Sequence, residues 1–507
     1  MATNSTKFII VGFDGLRPDC VEKDMPNLAR FISSSHRWSQ YLATFPTETY
    51  VNHPSIFSGF RPNRHGVIAN AYYDRRLTGE KSIFRGNRVE SILEHDKLGH
   101  GTISVPSLGD RLGAAGKTMR VLCANSSGST RLQHIHADRY PGHLNCCVHD
   151  LSLTIPSNER EALQAKWGNG VPLQFPDFDG TKLLTDIFFE YELPRGLADV
   201  TVLWIGEPDH SSHEFGIFDE KTVQARRHAD EAFGKILQWW ESEGKQSGVQ
   251  LVTMSDHGHG EVVKHFDLAD YLREKGWRIL TGKEVLEGQN EADADLIMVG
   301  TYALGLWQTH PNKEQLLALR DDLMQCEAVG LIFSQPNPKD PTAIVGQVPG
   351  TFSESVVFSD NLRGPDLRVV YLNNPQSGKL VMAEELPLGA GNHGGLLPQE
   401  IHSVLAISGD AFTQAAAHSE PAGHDDFALT VMHVMGLLEN DRSLEPMPPA
   451  RLLAEALAGH EGDEVPVKER LRLECGPYAQ YIERVHYRGQ TYVTEGARDT
   501  EFENLLK

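Results

Sequence analysis

Short apolar segments rich in β-branched residues recur along this chain, and each of them stops at a polar or glycine-rich turn. They span residues 8–13, 119–124, 200–205, 249–254, 367–372 and 404–407. Most of them lack the polar–apolar alternation of a half-exposed strand, and this is typical of strands that are buried on both faces of a parallel sheet. The chain is therefore expected to build a sheet that is covered on both sides.

Amphipathic helical patterns fill the intervals between these segments. In the clearest one, apolar residues recur at helical spacing and form a single stripe: Ala229, Ala232, Phe233, Ile236, Leu237 and Trp240. Pro26 fits the first turn of another helix. Strands that alternate with helices predict an α/β fold, doubly wound, with a mostly parallel central sheet flanked by helices.

Two stretches interrupt this alternation. Residues 275–365 contain scattered Gly and Pro and are expected to form an irregular inserted cap subdomain within a catalytic domain of residues 1–445. Residues 446–507 form a predicted C-terminal extension, with a helix-like segment at 450–457 and a hairpin of 478–486 and 490–494 around Arg488-Gly489. Because exposed edge strands invite pairing, this extension is the candidate element for a homo-oligomer.

Charge and composition narrow the classes of partner. The 507 residues include 47 Lys+Arg and 69 Asp+Glu, a formal charge of −22 that argues against a nucleic acid polymer. A small anionic substrate stays compatible, because a bound metal can invert the local charge. No apolar run reaches the ~18 residues that cross a bilayer, and the run after residue 7 is too short for a signal peptide. The six cysteines lack CxxC spacing, so we expect no disulfide framework. Together with the short apolar runs, this predicts a cytoplasmic protein without membrane contact.

Acidic and histidine side chains follow several of the predicted strands. Asp14 follows residues 8–13, Asp209 follows 200–205, and Asp256 follows 249–254; a fourth run, 384–391, leads into Asn392. Histidines accompany three of these positions: His213, His257 and His393. In open α/β sheets the carboxyl ends of the strands share one edge, where ligands bind. Oxygen and imidazole ligands together suit Zn²⁺, with Mn²⁺ as the alternative.

A candidate nucleophile lies in residues 44–59, TFPTETYVNHPSIFSG. A hydroxyl before a short helix, predicted at 54–60, would meet free backbone N–H groups and a favourable dipole that suit a bound phosphoryl group. A threonine hydroxyl needs a base or a metal to become nucleophilic. The alternative, that Thr47 and Thr49 only cap the helix, stays open on this pattern alone.

Seven segments in this order resemble the nucleotide pyrophosphatase/phosphodiesterase family of the alkaline phosphatase superfamily. They are FDGLRPD (13–19), MPNLARF (25–31), FPTETYVNH (45–53), SGFRPNRHGV (58–67), EPDHSSH (207–213), SDHG (255–258) and NHGG (392–395). The resemblance covers about residues 7–437 and is weak over 275–365.

The resemblance implies a two-metal hydrolase that cleaves phosphodiester or pyrophosphate bonds of nucleotide-like or small organic phosphodiesters through a covalent threonine intermediate. One zinc would be held by Asp209, His213 and His393. The second would be held by Asp14, Asp256, His257 and Thr49, and Thr49 would also be the nucleophile. Asn70 matches an asparagine that contacts a phosphoryl oxygen in relatives.

The chain departs from the family pattern at Val51 and Pro54, and it carries two additional histidines, His210 and His259, beside the ligand positions. We interpret both histidines as supporting or solvent-facing residues. A C–P bond hydrolase resembling phosphonoacetate hydrolase stays open as the alternative function. A phosphomonoesterase, a non-catalytic scaffold and a sulfatase are less favoured, the sulfatase because the nucleophile segment has no cysteine to become formylglycine.

Overall fold

An eight-stranded sheet forms the centre of the computed structural model, which describes residues 6–98, 101–438, 446–459, 464–500 and 502. In spatial order its strands are Ala417–His418, His36–Trp38, Leu405–Ser408, Val249–Met254, Lys7–Phe13, Val200–Ile205, Met119–Ala124 and Leu144–Cys147. The last five are mutually parallel, while Leu405–Ser408 runs antiparallel to Val249–Met254. The predicted α/β fold with a mostly parallel central sheet is confirmed.

The strand Lys7–Phe13 explains why these segments are apolar throughout. Ile9 and Val11 face a core on one side of the sheet, while Phe8 and Ile10 face a second core on the other side. Since successive side chains of a strand point to opposite faces, both sets of positions must be apolar. The helices that cover the two faces supply the other halves of these cores.

Sixteen α-helices lie in the described ranges. They are Pro18–Asp24, Pro26–Ser33, Thr49–Ser58, Pro62–His65, Val89–Asp96, Leu108–Ala114, Ser127–Gln133, Ser157–Trp167, Phe178–Ile187, Asp209–Phe215, Glu220–Trp239, Leu268–Glu274, Gly282–Leu286, Lys313–Gln325, Pro398–Ile401 and His424–Val434. The predicted stripe lies on Glu220–Trp239 and the π-turn that follows it, where Phe233, Ile236 and Trp240 are buried in one core.

The expectation of an irregular segment over 275–365 is wrong. This region forms most of a second sheet with the strand order Ile279–Thr281, Leu296–Val299, Ala303–Gln308, Leu367–Tyr371, Val329–Ser334 and Phe352–Ser353. Its central pairings are antiparallel, and the predicted strand at 367–372 belongs here rather than to the parallel sheet. Two of its strands, Ala303–Gln308 and Val329–Ser334, contain glycine, which weakens the local β signal among the scattered Gly and Pro residues.

Smaller sheets complete the architecture. A four-stranded sheet has the order Asn373–Asn374, Lys379–Met382, Gly260–His265 and Gly391–Asn392, and a three-stranded one has the order His402–Ser403, Tyr41–Leu42 and Ala422–Gly423. Ala71–Tyr73 pairs with Ile83–Arg85.

The C-terminal extension is a three-stranded antiparallel sheet of Val467–Cys475, Tyr478–Tyr487 and Gln490–Arg498. The predicted hairpin is confirmed, whereas the expected helix at 450–457 is reduced to a 3-10 turn at Ala454–Ala456. The sheet packs on its own chain: the Tyr478 hydroxyl donates to Gly330 O across 2.9 Å, and Gly496 N donates to Leu396 O across 3.0 Å. The predicted boundary at residue 445 lies outside the described residues.

Two further features bear on the sequence expectations. Within the described ranges, no helix is long and apolar enough to cross a membrane. All six cysteines are unpaired and five of them are buried, including Cys146 and Cys147 in the strand Leu144–Cys147.

Candidate metal centre and nucleophile

The carboxyl edge of the central sheet brings the predicted acidic residues together. Asp14 directly follows the strand Lys7–Phe13, and Asp256 follows Val249–Met254 after one residue. Asp209 begins the helix Asp209–Phe215, so His213 lies one turn further on the same face. Asp209 N donates to Asp14 O across 3.1 Å, which ties two of these strand ends to each other.

His393 reaches the same edge from a different element than expected. The run 384–391 forms no long strand, and His393 follows the two-residue strand Gly391–Asn392, which pairs antiparallel with Gly260–His265. Its Nε2 lies 3.5 Å from Asp209 Oδ1 and 3.2 Å from His213 Nε2. The three residues of the first implied ligand set are therefore adjacent.

Two groups of potential metal donors lie side by side. In the first, donor atoms of Asp209, His257, His259 and His393 all lie within 4.8 Å of one another. The second consists of Asp14, His53 and Asp256. His257 lies between the groups, because its Nε2 is also 3.6 Å from Asp14 Oδ1 and 3.5 Å from Asp256 Oδ2.

Thr49 points its hydroxyl at this second group. The Oγ1 atom lies 3.4 Å from Asp14 Oδ1 and 3.0 Å from His257 Nε2. The helix starts at Thr49 itself and contains Pro54, so the predicted helix at 54–60 begins five residues too late. Thr47 faces elsewhere: its Oγ1 lies 3.0 Å from Gly395 O and 3.2 Å from Glu400 Oε2.

Asn70 is held against the first turn of the Thr49 helix. Its Oδ1 accepts the Tyr50 N–H across 3.0 Å, and its own N–H donates to Glu48 Oε2. The Tyr50 N–H holds Oδ1 in place and thereby fixes the amide, whose NH₂ can donate to a ligand. Asn70, His213 and His393 line one cleft of about 410 Å³, together with residues such as Phe175 and His210.

Backbone carbonyls orient the four central imidazoles. The Nδ1 atoms contact backbone oxygens in four pairs: His213 with Gly391 at 2.8 Å, His257 with Gly258 at 3.1 Å, His259 with Gly15 at 3.0 Å, and His393 with Thr47 at 2.7 Å. A carbonyl only accepts, so the hydrogen-bond network assigns the proton to Nδ1 in each ring. The Nε2 lone pairs are then turned towards the carboxylates, an arrangement that metal-binding histidines commonly adopt.

Burial and neighbouring charges shift the pKa values of the site residues in opposite directions. Burial, followed by the nearby charges of Asp256 and Asp209, raises the pKa of Asp14 well above its usual value. Burial acts in the same direction on Asp209, but the surrounding imidazoles outweigh it and leave the pKa of Asp209 well below the usual value. Burial and the neighbouring His257 lower the pKa of His393 well below the usual range, which favours a neutral ring.

Orphaned polar atoms test whether divalent cations fit. His53 Nε2 and Asp256 Oδ2 are buried and have no hydrogen-bond partner among the described residues, although they lie only 3.5 Å apart. Unpaired buried polar atoms are costly, and a cation between them would satisfy both. Carboxylate oxygens and imidazole nitrogens are ligands that Zn²⁺ accepts. The residues present therefore fit a metal site.

Several residues beside the site were not assigned to it from the sequence. His259, interpreted above as supporting or solvent-facing, is fully buried with its Nε2 3.0 Å from Asp209 Oδ1. His210 is only partly buried and lies 3.4 Å from Asn125 Oδ1. Asn125 and Trp204 donate to Asp14 Oδ2 across 2.6 and 2.9 Å. The His-Gly-His spacing after a strand end could have indicated His259; nothing local marks Asn125 or Trp204.

The parallel sheet, with two Asp/His groups and a threonine hydroxyl at its carboxyl edge, defines an alkaline-phosphatase-like α/β protein. Within that class, the chain belongs to the type I phosphodiesterase / nucleotide pyrophosphatase family, whose model matches residues 8–344.

Individual relatives are distant. A venom phosphodiesterase of Macrovipera lebetinus is 22% identical over 282 residues, which is 53% of this chain and 28% of that protein. Ectonucleotide pyrophosphatase/phosphodiesterase family member 1 of Rattus norvegicus is 23% identical over 240 residues, 45% of this chain and 21% of that protein. The matches thus span less than a third of these relatives' lengths.

Solved structures share the fold over a larger share of the chain. Murine ectonucleotide pyrophosphatase / phosphodiesterase 5 superposes with a TM-score of 0.59 at 15% identity, covering 87% of this chain and 97% of that one. An inactive threonine-to-alanine variant of the same murine protein, in complex with AMP, gives a TM-score of 0.57 at 16% identity and covers 87% of this chain and 96% of that one.

Proposed function

We propose that this protein is a metal-dependent hydrolase that cleaves phosphodiester or pyrophosphate bonds of nucleotide-like or other small organic phosphodiesters, with Thr49 as the nucleophile. One observation carries the proposal: the Thr49 hydroxyl lies at a helix start and points into the Asp/His donors, 3.4 Å from Asp14 Oδ1 and 3.0 Å from His257 Nε2. A hydroxyl in that position can meet both a bound metal and a phosphoryl group.

The proposed ligand sets are those that the family resemblance implies; they assign His257 to the group of Asp14 and Asp256 and leave out His53. Asp209, His213 and His393 would hold one divalent cation. The other would be held by Asp14, Asp256, His257 and Thr49. Zn²⁺ is the proposed metal, with Mn²⁺ as the alternative, because the donors mix carboxylate and imidazole. When bound, such cations activate a hydroxyl and neutralise charge on phosphoryl oxygens.

The chain's own residues suit a two-step displacement. Thr49 Oγ1 would bond to phosphorus while the bond to the leaving alcohol or phosphate oxygen breaks, and the leaving group would depart with the Thr49 proton or one from solvent. A phosphothreonine diester would remain. Water would then bond to phosphorus as the Thr49 Oγ1–P bond breaks, which regenerates the threonine and releases a monoester.

Asn70 would stabilise the non-bridging oxygens during both steps. Its Oδ1 is fixed by the Tyr50 N–H, so its NH₂ can donate towards the cleft. Fixed donors aimed at developing negative charge commonly make the largest single contribution to such reactions. Replacing this amide should therefore lower turnover more than substrate binding.

The substrate is proposed to be small because the cleft beside the donors measures about 410 Å³, and because the acidic chain would repel a nucleic acid polymer. The AMP complex of the murine relative supports a nucleotide-like group, and the inactive threonine variant of that protein supports a threonine nucleophile.

A cytoplasmic location belongs to the proposal and is supported by six unpaired cysteines. The similarity to a venom phosphodiesterase and to an ectonucleotide pyrophosphatase/phosphodiesterase favours a location outside the cell instead. Cell fractionation would decide between the two locations.

Rates on three substrates test the function. Bis-p-nitrophenyl phosphate should be hydrolysed fastest, ahead of p-nitrophenyl phosphate, with no phosphate released from phosphonoacetate. Preference for phosphonoacetate would support the C–P hydrolase, and preference for the monoester a phosphatase. If the zinc-loaded protein turned over none of them, the scaffold alternative would replace the proposal.

A further inference from the structure

We propose that His259 is an additional protein ligand of the cation held by Asp209, His213 and His393. This inference rests on the proposed function, since it concerns a metal site on which that function depends. His259 is not among the ligands that the family resemblance implies, so the site of this chain would contain three imidazoles and one carboxylate.

The fold builds a slot for the His259 ring. A Cβ atom on Gly15 would lie 2.3 Å from His259 Cε1, and one on Gly391 would lie 3.1 Å from His259 Cδ2. The ring is fully buried in this space, and Arg17 Nη1 donates to the His259 backbone oxygen across 3.1 Å. The side chain is therefore fixed in position against Asp209.

Hydrogen-bond accounting indicates what His259 Nε2 can do. Nδ1 lies 3.0 Å from Gly15 O, which only accepts, so Nδ1 carries a proton. In a neutral ring Nε2 is then unprotonated, and its lone pair faces Asp209 Oδ1 across 3.0 Å. Two lone pairs in that position repel each other unless a cation lies between them.

Two other imidazoles face the same Asp209 oxygen as His259. Nε2 atoms of His259, His213 and His393 lie 3.0, 3.2 and 3.5 Å from Asp209 Oδ1. Each of these rings directs its Nδ1 at a backbone carbonyl. When the three rings are neutral, their lone pairs face one carboxylate oxygen, which is the arrangement of metal ligands.

The extra imidazole would change the choice of metal. A nitrogen-rich site favours Zn²⁺, Co²⁺ and Cu²⁺ over Mg²⁺ and Mn²⁺, which prefer oxygen ligands. Catalytic zinc sites usually keep three protein ligands and an open position. With four protein donors, a substrate oxygen would have to enter as a fifth ligand, so the additional histidine would tighten metal retention.

Anomalous scattering at the zinc edge tests the inference on the unmutated chain. In crystals of the full-length protein with Zn²⁺, His259 Nε2 should lie about 2.0–2.1 Å from the zinc bound to Asp209. A zinc on Asp209, His213 and His393 with His259 Nε2 more than about 3 Å away would overturn the inference and leave the proposed function intact. No zinc at Asp209 would overturn both.

Chelator competition provides a second measurement. His259→Gln should raise the Kd of one of the two Zn²⁺ ions by about tenfold or more while the other ion is unaffected. His210→Gln is the matched control, because His210 directly follows Asp209 but faces Asn125, and both of its Kd values should stay within about twofold of the unmutated protein. Equal effects of the two substitutions would contradict the assignment, and if His259→Gln does not fold, the crystallographic distance decides alone.

Discussion

The backbone oxygen of Thr47 accepts the Nδ1 proton of His393 across 2.7 Å, so the segment that presents the proposed nucleophile also orients a proposed metal ligand. The Thr47 hydroxyl strengthens this connection, because it accepts the Gly394 N–H across 3.0 Å and lies 3.2 Å from Glu400 Oε2. Two residues beyond it, Thr49 faces the other half of the cluster. Both proposed metal sites are thus attached to one stretch of backbone.

Thr47→Val should destabilise the protein and weaken metal binding. The substitution keeps the shape but leaves the buried Gly394 N–H without its acceptor, which costs about 1–3 kcal/mol in the free energy of unfolding. Urea unfolding and chelator competition measure the two effects. Thr47→Ser is the control and should retain most of the stability and of the metal affinity. If Thr47→Val has the same stability and metal affinity as the unmutated protein, Thr47 has no positioning role.

Thr49→Ala should abolish turnover of bis-p-nitrophenyl phosphate, by about 10³-fold or more, while the protein remains folded and keeps at least one metal. Turnover should be lost because the proposed nucleophile is absent. Asp14 and His257 lose a contact with the Thr49 hydroxyl, but Asp14 still accepts from Asn125 and Trp204, and His257 Nδ1 still contacts Gly258 O. Turnover and metal content are measured on the same preparation. Residual activity within tenfold of the unmutated protein would exclude the covalent route.

Removing metal should lower both activity and thermal stability. Asp14, Asp209 and Asp256 are fully or almost fully buried, and a ligand that binds only the folded state stabilises it by mass action. Dialysis against a chelator should therefore lower Tm, and added Zn²⁺ should restore it together with turnover. A Tm that is insensitive to metal would contradict the assignment of the carboxylates as ligands.

Glu400 should make the protein less stable as the pH rises. Burial raises its pKa to about 8, although the Gly395 N–H and the Thr47 hydroxyl act in the opposite direction. A carboxyl whose pKa is raised on folding contributes its full stability below the unfolded pKa of about 4.5 and loses it as the pH rises towards 8, by up to about 1.4 kcal/mol per pH unit.

Glu400→Gln isolates this contribution, since Glu48 and Glu207 have pKa values raised to about 7 and remain in both proteins. Between pH 5 and pH 8, the free energy of unfolding should fall more steeply for the unmutated protein than for Glu400→Gln. Parallel pH profiles would mean that Glu400 is ionised in the fold at neutral pH.

The sequence predicted the central sheet well because its signals are local. A strand such as Val249–Met254 contacts core on both faces, so six consecutive residues carry the pattern, and Asp256 follows at its end. The second sheet is hard to predict because strands such as Ala303–Gln308 include glycine and lie among Gly and Pro residues that are typical of turns. Whether such a segment becomes a strand depends on its tertiary contacts more than on local propensity.

The same distinction applies to the site. Asp209 and His213 are one helical turn apart, and their proximity follows from spacing alone. Sequence reasoning gives His259 no ligand role because six side chains already fill two ligand sets, and its burial depends on the absence of side chains at Gly15 and Gly391. The start of the Thr49 helix was misplaced because Pro54, usually a residue of the first turn, lies inside it.

The strand Gln490–Arg498 lies directly behind the loop that bears His393, where Gly496 bonds to Leu396 and a Cβ on Gly496 would lie 2.7 Å from Leu396 Cδ1. During translation, the ribosome therefore releases every proposed ligand long before it releases the strand that supports one of them. A nascent polypeptide halted between the two would carry the proposed ligands without this support, so we expect the proposed hydrolytic activity to be acquired only after the C-terminal strand has been made.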